Sequence, residues 1–152
     1  MSSFFIAQQV ADSKSVADIT SMFKKAKELA GKRPNVLISD GARNFHQAFT
    51  KAFYTRTSPR SRHVKHIRFK GDHNNNNKIE RMNGEIRDRA KVMRGLKNTD
   101  TSVLTGYQIY HNYFRPHMAL DGKTPAEKCG IEIAGQNKWI TAIRNASLKS
   151  NT

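Results

Sequence analysis

Val36-Leu37-Ile38-Ser39-Asp40-Gly41 is a short β-branched run that stops at a turn pair, and it reads as a buried strand ending in an acidic side chain. Upstream, Val16, Ile19, Met22, Phe23, Ala26, Leu29 and Ala30 step by three and four with Lys24, Lys25 and Lys27 opposite, which predicts an amphipathic helix over 15–30 closed by Gly31. Further upstream, Phe4, Phe5, Ile6 and Val10 form an aromatic-rich segment that reads as an interior strand. Strand, helix, strand in that order predicts a right-handed βαβ unit with a parallel pair. A carboxylate at the C-terminal end of such a strand lies where α/β sheets place their ligands.

Downstream, Phe45, Ala48, Phe49, Ala52 and Phe53 predict a helix over 42–54, and Val64 to Phe69 alternates apolar and basic residues like a half-exposed strand. The Asn-rich stretch from Gly71 to Asn77 reads as a loop. Ile79, Met82, Ile86, Ala90 and Met93 then mark the clearest amphipathic helix in the chain, ending near Gly95. A further helix is expected over 102–114 with Tyr107, Tyr110, Tyr113 and Phe114 as packing groups, and Thr124-Pro125 reads as a helix cap followed by proline at the first helical position. From about Gly135 the chain reads as a frayed extension.

The 152 residues suit one ordinary domain, and 27 Lys and Arg against 12 Asp and Glu leave a net charge of +15. Self-repulsion on that scale calls for a polyanionic partner, nucleic acid before an anionic membrane. A single cysteine, Cys129, excludes a disulfide framework and a multi-cysteine zinc site, and it reads as a small buried apolar residue. No apolar run is long enough to span a membrane, and the N-terminus lacks the pattern of a signal peptide.

The charge is concentrated. Lys51 to Lys97 holds 14 Lys and Arg against 4 acids, so two thirds of the surplus lies in under a third of the chain. On the helix after the Asn-rich loop, Arg87, Lys91 and Arg94 recur at spacings of four and three and form one ridge. With Lys78, Arg81, Asn83 and Lys97 they make a candidate track for a phosphate backbone, although a solvated helix face would also be charged opposite its apolar stripe. His63, His66 and His73 could form a metal cluster, but their strand and loop positions favour phosphate contact or plain exposure.

Two acids stand out in this basic field. Asp40 closes the strand, and Glu80 lies in the first turn of the basic helix, about 100° round from its apolar stripe. Brought together, they could hold hard divalent cations, which take oxygen ligands, and such ions suit phosphodiester chemistry. Simpler readings stand beside this one. Asp-Gly at a strand end is a common turn pair, and Asn77 to Glu80 fits a capping box.

Asp40 with the strand before it, Asn77-Lys78-Ile79-Glu80-Arg81-Met82-Asn83-Gly84, and Arg87 to Lys97 together resemble the catalytic domain of DDE-type, integrase-like transposases of prokaryotic insertion sequences. Tyr110-His111-Asn112-Tyr113-Phe114-Arg115-Pro116-His117, with Leu120 and Thr124-Pro125-Ala126-Glu127, resembles the segment that follows the catalytic Glu there, so the likeness runs from about Phe4 to Ile131. It implies an α/β fold of the RNase H-like kind, a mixed sheet flanked by helices, and DNA transposition by strand cleavage and transfer. In the family, two Asp and one Glu bind two Mg²⁺ or Mn²⁺ ions. Asp40 is similar to the second Asp and Glu80 to the Glu, at a slightly longer interval than in many members.

The family's first Asp has no counterpart on a strand ahead of Asp40, since Asp12 and Asp18 fall at the start of the first helix. The expectation is therefore a partial catalytic domain over 1–131, lacking its first strand or strands, with a C-terminal extension over 132–152. Such a chain would be weakly active or inactive alone, with an incomplete two-ion site. It would meet mobile-element ends and target DNA in the cytoplasm, at the nucleoid, as a homo-oligomer or paired with a full-length transposase or an upstream fragment. The alternative is a non-catalytic basic module that binds nucleic acid.

Overall fold

The computed structural model describes residues 3–65, 77–93 and 101–150, without the side chains of 77, 78, 149 and 150. The chain divides into two compact units, one from Ile6 to Val103 and the other combining the residues up to Phe5 with those from Leu104 onward.

In the first unit, α1 (Val16–Ala30) starts at Ser15, whose Oγ accepts the Asp18 N–H at 3.1 Å and donates to Asp18 Oδ2 at 2.6 Å. These bonds satisfy one of the orphan donors of the first turn. The helix stops at Gly31, whose φ of +64° is a left-handed value that glycine adopts without a Cβ penalty. α2 (Arg43–Phe53) packs on α1, and Ile19, Phe23, Ala48, Ala52 and Phe53 form the buried core between them. Ala48 and Ala52 lie one turn apart on the same face, and their small side chains let the backbones approach while the phenylalanines fill the flanks. The Phe23 and Phe53 rings lie 5.4 Å apart, with Phe45 and Phe49 completing the aromatic cluster.

β1 (Val36–Ser39) and β2 (Arg62–Lys65) pair in parallel, Leu37 opposite His63 and Ser39 opposite Lys65, with α2 as the crossover. Parallel strands need a connection of this kind. A strand–helix–strand unit is therefore present, but it lies one element later than the pattern before Asp40 predicts. The predicted strand over Phe4–Val10 does not form: no helix or strand precedes Val16 among the described residues. β1 is also less buried than its composition implies. Leu37 packs on the α1–α2 core while Val36 is 41% exposed, because a two-stranded sheet with helices against one face leaves apolar side chains in water. Residues 66–69 of the predicted third strand lie outside the described residues.

α3 (Asn77–Val92) carries the predicted stripe with Met82, Ile86 and Ala90 half-buried, while Ile79 and Met93 are exposed. Whether Asn77 caps this helix lies outside the described side chains.

In the second unit, the predicted helix over 102–114 divides into α4 (Ser102–Ile109) and a π-helical turn, Tyr110–Phe114, closed by Arg115 N–H donating to the Tyr110 carbonyl at 2.9 Å. This turn aims Asn112, 2% exposed, at the main chain of Phe5. Asn112 Oδ1 accepts the Phe5 N–H at 2.8 Å, and the Phe5 carbonyl accepts from Asn112 Nδ2 and Gln108 Nε2, both at 2.8 Å. Side-chain amides thus take the backbone bonds that a neighbouring strand would have supplied. Phe4 meets Tyr113 edge-on and Tyr107 is buried, so this aromatic group packs as expected.

α5 (Pro125–Lys128) has a full capping box between Thr124 and Glu127. Glu127 also pairs with Lys138, and this bond first, then the Thr124 N–H, holds its carboxyl below the usual value. Cys129 is exposed, not buried, because α5 ends after a single turn and turns it outward. The extension is a helix, α6 (Lys138–Ser150), whose Trp139 stacks on Phe114 with ring centres 3.6 Å apart. No helix among the described residues is long and apolar enough to cross a membrane.

Candidate functional site

Asp40 directly follows β1 and is exposed. Its Oδ1 accepts the Ala42 N–H at 3.1 Å, the turn interaction that an Asp-Gly pair favours. The turn reading and the ligand reading are compatible, since the other carboxylate oxygen has no partner among the described residues. The preceding residue, Ser39, is 5% exposed. Its Oγ accepts the Gly41 N–H at 3.2 Å and lies 2.8 Å from His63 Nε2, so the chain is held on both sides of Asp40.

His63 is fixed in its turn. Leu37 and Ser39 share one face of β1, and the register places His63 beside them on the same face. Its Nδ1 lies 3.1 Å from His46 Nδ1, with the two rings stacked at 5.4 Å, and Phe49 stacks on it at 5.1 Å. Burial first, and then the nearby charges of His46 and Lys65, push the His63 imidazole below its ordinary value. His63 is thus half-buried beside the Phe49 and His46 rings of α2 and not plainly exposed. His66 and His73 lie outside the described residues.

Glu80 lies in the first turn of α3 and is exposed, as are Arg81, Asn83, Arg87 and Lys91 along the same helix. The side chain of Lys78, and all of Arg94 and Lys97, lie outside the described residues. Among the described residues no group of three or more His, Cys, Asp or Glu could hold a metal ion. In donor chemistry, the solvent-facing carboxylates of Asp40 and Glu80 fit a hard cation such as Mg²⁺ or Mn²⁺, which keeps several waters and needs one or two carboxylates.

One upstream acid serves another end. Asp18 accepts from the Ser15 and Ser13 hydroxyls, which hold its carboxyl below the ordinary value, and so it belongs to the α1 cap. Asp12 is exposed ahead of α1. Ser39 and His46 carry no motif that marks them in the sequence. The one faint signal is period-two alternation, which places residues 37 and 39 together, but their neighbour across the sheet depends on register.

No curated protein and no solved structure matches the chain. Residues 5–117 match the sequence profile of a DDE domain, a span that holds Asp40, Glu80 and the Tyr110–His117 motif. With an acid at the end of a parallel strand and another opening a basic helix, both inside that span, the chain belongs to the family of DDE-type insertion-sequence transposase domains.

Proposed function

We propose that this chain is part of an RNase H-like DDE transposase catalytic domain in which Asp40 and Glu80 are the carboxylate ligands of a divalent cation, Mg²⁺ or Mn²⁺. The observation that carries the reading is Asp40: it sits at the C-terminal end of β1, exposed, with one oxygen spent on the turn and the other available. A cation there would polarise a phosphodiester and activate a water or hydroxyl for attack. Ser39 and the Ala42 N–H orient the Asp40 carboxylate. Arg81, Arg87 and Lys91, with Lys78, Arg94 and Lys97, neutralise backbone phosphates of the mobile-element end or target, and Asn83 adds a hydrogen bond.

By itself the chain is weakly active or inactive in strand transfer. It supplies two of the three carboxylates, since Asp18 is engaged in the α1 cap. Pairing with a full-length transposase or an upstream fragment would supply the third. The site of action is DNA at the nucleoid.

Nicking of the element's end sequence in Mn²⁺ tests this, comparing the wild-type chain with Asp40→Ala and Glu80→Gln. Weak nicking that either substitution abolishes is expected. Nicking that persists in both variants removes Asp40 and Glu80 from the chemistry. The exposed Arg81, Arg87 and Lys91 of α3 support a second reading, a non-catalytic DNA-binding module. It is distinguished by salt-dependent DNA binding that is steep in log–log form with no Mn²⁺-dependent cleavage.

A further inference from the structure

We propose that His63 is a positioning residue for Asp40, acting through the buried Ser39 hydroxyl, with His46 holding its imidazole in register. The proposal rests on the reading of Asp40 as a metal ligand, but its geometry stands independently. Three hydrogen bonds run in sequence: Gly41 N–H to Ser39 Oγ at 3.2 Å, Ser39 Oγ to His63 Nε2 at 2.8 Å, and His63 Nδ1 to His46 Nδ1 at 3.1 Å.

One proton arrangement satisfies every member. Ser39 Oγ accepts from Gly41 and gives its own proton to His63 Nε2, and His63, protonated on Nδ1, donates to a bare His46 Nδ1. In the opposite tautomer the His63 Nε2–H would claim the Ser39 oxygen, and the two Nδ1 atoms could share a proton only if His46 supplied it. The Ser39 proton would then need another acceptor, and it has none among the described residues. The ring is held from the α2 side, where the Phe49 and His46 rings lie 5.1 and 5.4 Å from it. Phe49 and His46 lie three residues apart, on one face of α2.

The consequence falls on the residue between the pinned groups. Ser39 fixes the main chain at Gly41, and Asp40 fixes it again at Ala42 through its own Oδ1. The second oxygen of Asp40 therefore points in a direction set by a side chain from another strand. This arrangement supports a ligand in the manner of outer partners that orient a metal-binding carboxylate.

Amide hydrogen exchange of Gly41 and Ala42, read by NMR on the full chain, tests the relay in four variants. His63→Phe keeps a ring to stack on Phe49 and removes both nitrogens; His63→Gln places an amide near the lost Nε2; His63→Asn does not reach it; Ser39→Ala removes the hydroxyl. The loss of a hydrogen bond of ordinary net strength corresponds to about five- to tenfold faster exchange. That acceleration is expected at Gly41 in Phe, Asn and Ala variants, with rates near wild type in the Gln variant. Equal rates in His63→Phe and wild type, or equal loss in Gln and Asn, overturn the proposal; Ser39→Ala decides it if His63→Phe does not fold. Mn²⁺ alone, followed by broadening of the Ala42 amide signal, should bind more weakly by a similar factor in His63→Phe and recover in His63→Gln. Broadening that survives Asp40→Asn, or is absent from wild type, defeats the metal-ligand reading and leaves the exchange pattern to judge the positioning role.

Discussion

Asn112 gives the sharpest test of how the segment around Phe5 is held. Its side chain makes two bonds to one residue, accepting the Phe5 N–H and donating to the Phe5 carbonyl, each at 2.8 Å. In Asn112→Ala the N–H loses its acceptor while the carbonyl keeps Gln108. An unsatisfied buried donor costs about 1–3 kcal/mol, and the vacated volume adds about 1 kcal/mol, so the expected loss is roughly 2–4 kcal/mol. Asn112→Asp has nearly the same shape and a different outcome. Ionised, the new carboxylate would aim an oxygen at the Phe5 carbonyl; protonated, its O–H would replace the lost donor. The folded state therefore selects the neutral acid and raises its pKa above the unfolded value of about 3.9. Stability for such a group is fully present below the unfolded value and is lost as pH rises towards the folded one. Remaining protonated at about pH 7 costs at most about 4 kcal/mol, falling by about 1.4 kcal/mol per pH unit to near zero at about pH 4. Urea unfolding followed by fluorescence of Trp139, the sole tryptophan, which stacks on Phe114 in the same unit, reads this directly. Asp and Ala variants with the same loss at both pH values would refute the two-bond account of Phe5.

In the unit from Ile6 to Val103, Phe53→Ala removes a 4% exposed ring packed against Phe23 and Phe49, and should cost about 3–5 kcal/mol in denaturant unfolding. A loss under about 1 kcal/mol would mean that the α1–α2 core is not the main source of stability there. His63, pushed below its ordinary 6.5 by burial first, should make that unit depend on pH. Its contribution is fully present above 6.5 and is lost as pH falls through the lowered folded value, because the unfolded chain takes up the proton first. Unfolding measured across this range should show a slope in the wild type that His63→Phe removes.

Helices α1, α2 and α3 are legible in the amino-acid sequence, because spacings of three and four report burial within one element and Ser15 and Gly31 carry their cap chemistry locally. The Asp40 turn and the Thr124-Pro125 cap are legible on the same grounds, and the motifs around Asp40, Glu80 and Asn112 are enough to indicate the family. Strand pairing is not. Phe4-Phe5-Ile6 is as apolar as any strand, yet the Phe5 main chain is paired by amides more than a hundred residues away, which no local pattern encodes. The relay behind Asp40 is equally hidden. Ser39 and His63 meet through parallel register, and a shift of one residue would turn His63 to the opposite face. Composition and periodicity settle the helices and the surplus positive charge, and the family resemblance singles out Asp40 and Glu80. Long-range pairing alone decides which strand lies beside Asp40, what holds Phe5, and which side chains orient the carboxylate, because those contacts depend on residues distant in the chain.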